Sequence, residues 1–162
     1  MTRGEAAERR VRDALRAAVP ADWRIHANCR WLGRDRSGSH ERRGEADVVV
    51  VAPDGAFLAV EVKAGDEIRR DGGGTWWIGP LELDRSPFAQ AEDSRNALVA
   101  KLGELPAWPA ATRPRAGHAV AFPDVNLASL GPGHSLLGLD ADRELVLDAA
   151  AFASPDATRQ AV

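Results

Sequence analysis

The chain has 162 residues, 44% of them hydrophobic, which is enough for one globular domain with a substantial core. Its only cysteine, Cys29, excludes an intramolecular disulfide, so we expect a reduced, cytoplasmic protein. A net charge of −3 lacks the basic excess that nucleic-acid-binding proteins usually carry. The charged start and the absence of an apolar run near the roughly 18 residues of a membrane span predict neither a signal peptide nor a membrane partner.

The first predicted element is a helix from Gly4 to Val19. On a helical wheel, Glu8 lies about 60° from Val11, at the edge of the apolar stripe, whereas Glu5 lies about 120° from Val11, towards solvent. Glu8 is therefore the better candidate for a functional site, the alternative being a surface ion pair with Arg12 at i+4. The stripe itself consists of Ala7, Val11, Ala14, Leu15 and Ala18.

The next predicted element is a strand from Trp23 to Trp31, in which apolar and polar residues alternate. We expect one solvent-exposed face and a buried Cys29 on the other. Residues 30–43 follow as a predicted mobile loop. Residues 1–46 carry eleven arginines against seven acidic residues, so this loop could follow the phosphates of a nucleic acid. The alternative is an ordinary solvated loop.

Residues 47–63 predict a β-hairpin, because two β-rich runs flank a Pro-Asp-Gly turn. If the residues on either side of that turn face each other, Asp47 lies directly opposite Glu61. Side chains alternate between the two faces of a strand, so Glu61 and Lys63 share one face. Asp47, Glu61 and Lys63 are therefore predicted to converge.

The chemistry of these three residues suggests a metal site. Two opposed carboxylates lie roughly 5 Å apart at Cβ and destabilise a sheet unless a cation neutralises them. Mg²⁺ commonly binds through one or two carboxylates, water and substrate phosphate. Lys63, one of only two lysines in the chain, could hold an attacking water or neutralise charge on the phosphate. The alternative is that Glu61 and Lys63 are solvent-facing partners on an amphipathic strand.

A second hairpin is predicted around the glycines at 72–74, with Trp76 and Trp77 on opposite faces. One tryptophan should be core, and base stacking is the alternative for the other. Ser86 is then predicted to cap a helix that ends near Leu105. Gln90 lies at the flank of its apolar stripe, where it could bind water, a metal-bound group or phosphate, or be an ordinary surface glutamine. The stripe is Ala91, Ser94, Leu98, Leu102 and Leu105.

The C-terminal third carries weaker signals. We predict strands at residues 117–122 and 145–147 and a helical turn at 148–153, followed by a terminal tail or linker at 154–162. The domain is therefore predicted to span residues 1–153. Its expected fold class is α/β, with a central mixed sheet that holds the 47–63 hairpin and with helices packed against it.

The motifs together resemble the nuclease-related domain (NERD) of the PD-(D/E)XK nuclease superfamily. That family has a glutamate on an N-terminal helix, then a Gly-Glu-hydrophobic-Asp strand start, a Glu-Val-Lys strand and a Pro-x-x-Gln helix start. The resemblance runs from about Glu5 to about Pro123 and is nearest to the form found ahead of helicase domains in bacterial proteins. The matching residues are Glu8, Gly44-Glu45-Ala46-Asp47, Glu61-Val62-Lys63 and Pro87-Phe88-Ala89-Gln90.

The resemblance implies a restriction-endonuclease-like core and a Mg²⁺- or Mn²⁺-dependent deoxyribonuclease in DNA processing or repair. Asp47, Glu61 and the backbone carbonyl of Val62 would bind the ion, and Lys63 would position or activate the water. Glu8 and Gln90 would complete the site through water or a second ion. DNA and a helicase domain or protein are the expected partners. The alternatives are a catalytically silent module that binds DNA or docks a helicase, and an interaction domain whose acidic pair has no function.

Overall fold

The computed structural model describes residues 1–34, 41–109, 112–130, 136–138 and 141–162. Within them lie three α-helices and eight strands, with short 3-10 turns in the C-terminal third. In chain order the elements are α1 (Arg3–Ala18), β1 (Arg24–Arg34), β2 (Glu41–Val51), β3 (Phe57–Val62), β4 (Ile68–Arg70), β5 (Trp76–Ile78), β6 (Leu81–Glu82), α2 (Pro87–Gly103), β7 (Ala116–Phe122), β8 (Val146–Asp148) and α3 (Pro155–Ala161).

The main sheet has five strands in the order β1-β2-β3-β7-β8. The pairs β1–β2 and β2–β3 are antiparallel, whereas β3–β7 and β7–β8 are parallel. Helix α1 packs against one face of this sheet and α2 against the other. The predicted α/β fold with a mixed sheet flanked by helices is therefore confirmed.

The β2–β3 hairpin has the predicted register. Val48 pairs with Val60, and Val51 pairs with Phe57. Gly55 closes the turn with a φ of 83°, a left-handed conformation that glycine adopts without steric cost. Val60 and Val62 face α1, whereas Phe57 and Ala59 face α2, so the predicted alternation along β3 is also correct.

The predicted loop at residues 30–43 is wrong over most of its described length. Residues 30–34 belong to β1 and residues 41–43 to β2, and residues 35–40 lie outside the described part of the chain. The two strands are stabilised by cross-strand pairs, such as Arg30 opposite Glu45 and Trp31 opposite Gly44. Such pairs stabilise a sheet even where the sequence is rich in charge.

The first strand changes face halfway along its length. Asn28 has a φ of 54°, and Ile25 before it packs against the core beneath α1, whereas Cys29 after it packs against the core beneath α2. The prediction that these odd-numbered residues share one face is therefore wrong. Cys29 is only partly buried, not fully buried as predicted. Asparagine adopts the left-handed conformation more readily than most residues. Here its Nδ2 donates a hydrogen bond across to β2, to Glu45 Oε1 at 2.9 Å.

Strands β4, β5 and β6 form a separate three-stranded sheet. Trp76 is the predicted core tryptophan: it is 1% exposed and packs between Phe88 and Phe122. Trp77 faces the other way, and the guanidinium of Arg69 lies 4.6 Å from its ring centroid. A cation already covers that ring face, which disfavours the base-stacking alternative.

Helix α2 is shorter than predicted. It ends at Gly103, so Leu105 leaves the apolar stripe and is 52% exposed, contrary to the prediction. Ser86 occupies the N-cap position, but its side chain makes no capping hydrogen bond. Phe88, Ala91 and Ser94 are buried.

Residues 154–162 contain helix α3 (Pro155–Ala161) and are not the frayed tail that the sequence suggested. Ser154 Oγ accepts a hydrogen bond from Ala157 N at 3.1 Å, the usual geometry of an N-cap. The buried Thr158 donates to Ala151 O at 2.8 Å, and Arg159 Nε donates to Ala18 O at 2.9 Å. The last contact satisfies a carbonyl at the end of α1 and fixes α3 against it.

No helix in the described parts of the chain is both long and apolar enough to cross a lipid bilayer.

Gly44 provides a test of the β1–β2 packing. A Cβ at this position would lie 2.2 Å from Cζ2 of Trp31, whose indole covers the glycine. Gly44→Val should therefore lower the free energy of unfolding by about 2 kcal/mol in a urea titration. The control is Gly72→Val, because a Cβ there has no described atom within 4 Å. Equal losses in the two variants would contradict the packing.

Candidate functional site

The strands β2 and β3 separate at Asp47. Their ladder ends with the pair Val48 and Val60. The next N–H of β3 that points towards β2 is that of Val62, and it donates to Asp47 Oδ2 at 2.7 Å. The carboxylate of Asp47 therefore replaces the main-chain carbonyl that would accept this hydrogen bond if the ladder continued. The N–H and C=O of one strand residue point to the same neighbour. The carbonyl of Val62 therefore also points into the gap that Asp47 opens.

Glu61 and Lys63 lie together at the C-terminal end of β3. Glu61 is only 6% exposed, and its Oε1 accepts a hydrogen bond from Lys63 Nζ at 2.6 Å. The backbone of Lys63 is held by β7, because its N–H donates to Ala121 O at 2.9 Å. The ammonium group is thus fixed beside a buried carboxylate.

Gln90 reaches this pair from the first turn of α2. Its Oε1 accepts from Lys63 Nζ at 3.0 Å, and its Nε2 donates to the carbonyl of Arg85 at 3.2 Å. The two bonds together define the orientation of the amide. The structure therefore brings the predicted Gln90 to the predicted Lys63, rather than leaving it as an ordinary surface glutamine.

Burial raises the pKa of Asp47 to about 7, and the nearby charge of Glu61 adds to the effect, while the hydrogen bond from Val62 N opposes it. Burial also raises the pKa of Glu61, although the charge of Lys63 opposes this shift. Both carboxyl groups thus resist ionisation when no cation other than Lys63 is near.

Glu8 lies on α1 within electrostatic range of the pair, since its charge raises the pKa of both Asp47 and Glu61. None of the described residues forms a hydrogen bond with its carboxylate. Glu5 instead belongs to a capping box, in which its Oε2 accepts from Thr2 N at 2.7 Å. The alternative partner of Glu8, Arg12, binds Asp13 at 2.9 Å.

The residues present fit a hard divalent ion. Asp47 Oδ2 and Glu61 Oε1 are occupied by Val62 N and Lys63, and no described residue binds the second oxygen of either carboxylate. Two carboxylate oxygens and the Val62 carbonyl make an all-oxygen donor set, which suits Mg²⁺ or Mn²⁺. No group of three or more Asp, Glu, His or Cys residues that could hold a metal occurs within the described ranges, so water and substrate would have to complete the coordination.

Asp124 is a residue of this region that the sequence did not single out. Its Oδ2 accepts a hydrogen bond from Gly65 N at 2.9 Å, just after Lys63, and its carboxylate forms ion pairs with Arg3 and Arg10 of α1. It thereby ties α1 to the segment that follows β3. Its partners Arg3, Arg10 and Gly65 are far away in sequence, so no local pattern could have identified it.

The buried carboxyl of Asp47 predicts a pH-dependent stability. A pKa raised in the folded state means that the ionised side chain destabilises the fold above about pH 7 and that this penalty fades as the pH falls. Asp47→Asn should therefore be more stable than wild type near pH 8. Chemical denaturation should show this advantage shrinking by roughly 2 kcal/mol between about pH 8 and pH 5.

Asp54→Asn, in the turn of the same hairpin, is the control with the opposite sign. The N–H of Ala56 lowers the pKa of Asp54, so the ionised carboxylate stabilises the fold at neutral pH. This variant should lose stability relative to wild type at pH 8. An Asp47→Asn protein less stable than wild type at pH 8 would contradict the unfavourable burial of Asp47.

Comparison with known proteins identifies the family of the chain. The family model described as "Nuclease-related domain" (NERD) matches residues 3–123, which include α1, the β2–β3 hairpin and α2. No curated protein and no solved structure matches the chain. The matched region covers well over half of the chain and contains Glu8, Asp47, Glu61, Lys63 and Gln90, and the chain therefore belongs to the nuclease-related domain family.

Proposed function

We propose that the chain is a Mg²⁺- or Mn²⁺-dependent nuclease that hydrolyses phosphodiester bonds of DNA in DNA processing or repair. The observation that carries this proposal is the contact of Lys63 Nζ with Glu61 Oε1, next to the buried Asp47. Buried acids with raised pKa values, gathered beside a fixed cation, are typical of functional sites. Membership of a nuclease-related family supports the same function.

Each residue of the site has a distinct proposed role. Asp47, Glu61 and the Val62 carbonyl would hold the ion, which when bound would polarise a phosphoryl oxygen and acidify a water molecule. An ammonium group has three N–H donors, and Glu61 and Gln90 accept two of those of Lys63. The third can donate to a water or to a phosphate oxygen whose negative charge grows during the reaction.

Gln90 and Glu8 act on these groups. Gln90 positions the ammonium group of Lys63, since its own amide is held by the carbonyl of Arg85. Glu8 adds negative charge near the carboxylate pair, which favours a cation there and could retain a second ion or its water. Both roles are proposed from proximity and charge.

A catalytically silent module that binds DNA or docks a helicase is the second candidate. It is favoured by the small number of metal ligands, because the described residues offer an ion only two carboxylates and one backbone carbonyl at the gap between β2 and β3. Cleavage assays on duplex, single-stranded and branched DNA with Mg²⁺, Mn²⁺ or EDTA separate the two candidates. Turnover that EDTA abolishes supports the nuclease.

Metal binding predicts a thermal shift that depends on Asp47. An ion that binds only the folded state should raise the melting temperature of the wild type by about 5 °C at millimolar Mn²⁺. Asp47→Asn should lose this shift, because an amide oxygen is a weaker ligand than a carboxylate, whereas Asp54→Asn should keep it. A shift in Asp47→Asn as large as that of wild type would place the metal elsewhere.

The second lysine of the chain provides a matched control for Lys63. Lys101 also forms an ion pair with a glutamate, at 2.7 Å from Glu104 Oε2, but at the exposed end of α2. Lys63→Ala should reduce the cleavage rate at least about 100-fold at saturating Mn²⁺, and Lys101→Ala should leave it unchanged. Lys63→Ala should also melt at a lower temperature, since it leaves the buried Glu61 without its cation. Equal cleavage by the two variants would rule out the role given to Lys63.

A further inference from the structure

Among the described strands, β1 pairs only with β2, and β2 leaves β3 beyond Val48, so the two strands continue as a two-stranded ribbon. This ribbon comprises residues 28–34 and 41–47, in which residues 29–34 pair with residues 41–46. Asp47, a proposed metal ligand, is its last residue before the main sheet. The ribbon is therefore a projection of the sheet that begins at the proposed site.

One face of the ribbon is fixed against α2. Trp31 Nε1 donates to Ser94 Oγ at 3.1 Å, and Ser94 Oγ in turn donates to the carbonyl of Glu45 at 3.3 Å. Arg42 forms an ion pair with Asp93 of α2 at 2.8 Å. This inner face is thus occupied by contacts within the domain.

The opposite face carries Arg30, Leu32, Arg43 and Glu45, together with the exposed Glu41, and points to solvent. The side chain of Arg30 is 89% exposed and that of its cross-strand partner Glu45 is 34% exposed, at 3.2 Å from each other. Leu32 is 41% exposed and offers an apolar surface on this face. Arg43 lies opposite Leu32, is exposed, and has no ion-pair partner among the described residues.

These side chains have the chemistry of a phosphate-binding strip. An exposed ion pair such as Arg30 with Glu45 contributes little to stability, so Arg30 can exchange its partner for a phosphate. Arg30 and Arg43 occupy diagonal positions about 7 Å apart across the ribbon, which is of the order of the spacing between neighbouring phosphates of one strand. Leu32 is adjacent to both, opposite Arg43 and two residues along the strand from Arg30, where it can contact the apolar surface of a sugar.

We propose that this outer face of the ribbon binds the sugar-phosphate backbone of the nucleic acid and guides it to Asp47, with Arg30 and Arg43 contacting phosphates. The inference rests on the proposed nuclease function for the identity of the ligand. It adds the direction from which the ligand arrives and the residues that hold it. Either a duplex or a single strand could supply the phosphates, and the two forms are distinguished in the test.

The test measures the binding of fluorescently labelled DNA by anisotropy, with EDTA present so that no strand is cut. Duplex and single-stranded forms of one sequence are titrated between about 50 and 200 mM NaCl. Arg30→Ala and Arg43→Ala should each weaken binding several-fold. Each should also reduce the slope of log K against log salt concentration by about 0.9 for a duplex or about 0.7 for a single strand. The form of DNA that shows this change is the one that the ribbon binds.

Arg24→Ala is the matched control. Arg24 is an exposed arginine on the same strand, about 20 Å from Arg30 and outside the ribbon. It should leave the affinity and the salt slope unchanged, and melting curves should show that all three variants are folded. The proposal is overturned if Arg24→Ala weakens binding as much as the ribbon variants do, if neither ribbon variant changes the slope, or if wild type binds neither form.

The outcomes for the ribbon and for the nuclease are separable. Wild type that cleaves DNA but binds it without help from Arg30 and Arg43 would refute the ribbon and leave the nuclease standing. If the wild type cleaves no DNA with either metal but both ribbon variants bind DNA more weakly and with a smaller salt slope, the nuclease function is refuted and the role of the ribbon is supported.

Discussion

The hydrogen bond from Val62 N to the carboxylate of Asp47 is the constraint on which the site depends. A buried N–H must find an acceptor, and at this point of a regular ladder the acceptor would be the main chain of residue 46. Because the carboxylate of Asp47 accepts this hydrogen bond instead, β2 can separate from β3 without leaving Val62 N unpaired. The separation creates the gap into which the Val62 carbonyl points, and it buries Asp47 next to Glu61.

Helix α2 determines how the other parts are arranged around this gap. Three neighbouring residues on it, Gln90, Asp93 and Ser94, hold the ammonium group of Lys63, the guanidinium of Arg42 and the indole of Trp31. Residues three and four apart lie on one side of a helix, so these contacts share one surface. The proposed catalytic lysine and the ribbon are therefore positioned by the same rigid element.

The sequence predicted the parts of this architecture that depend on local pattern. The register of the hairpin followed from its turn and from the β-rich runs around it, and it brought Asp47 to Glu61. The helical phase of α1 separated Glu8 from Glu5, because the edge of an apolar stripe is determined by spacing alone.

What the sequence could not predict depends on contacts between distant residues. Residues 30–43 were predicted to form a loop because the segment is rich in arginine, but its described ends are strands that packing on α2 and cross-strand pairs stabilise. The left-handed Asn28 inverts the faces of β1, and no periodicity signals such a residue. Helix α3 has a good N-cap, but its stability comes from Thr158 and from the bond of Arg159 to the end of α1.

The hydrogen bonds from Trp31 to Ser94 and from Ser94 to the Glu45 carbonyl have a consequence for the energetics of binding. They fix the backbone of the ribbon before any ligand arrives, so a ligand would have to order only the ends of the exposed side chains. Flexible binding segments lose conformational entropy when they close on a partner, and that loss subtracts from their affinity. A ribbon held by an indole and a serine avoids most of this loss, because folding has already ordered its main chain.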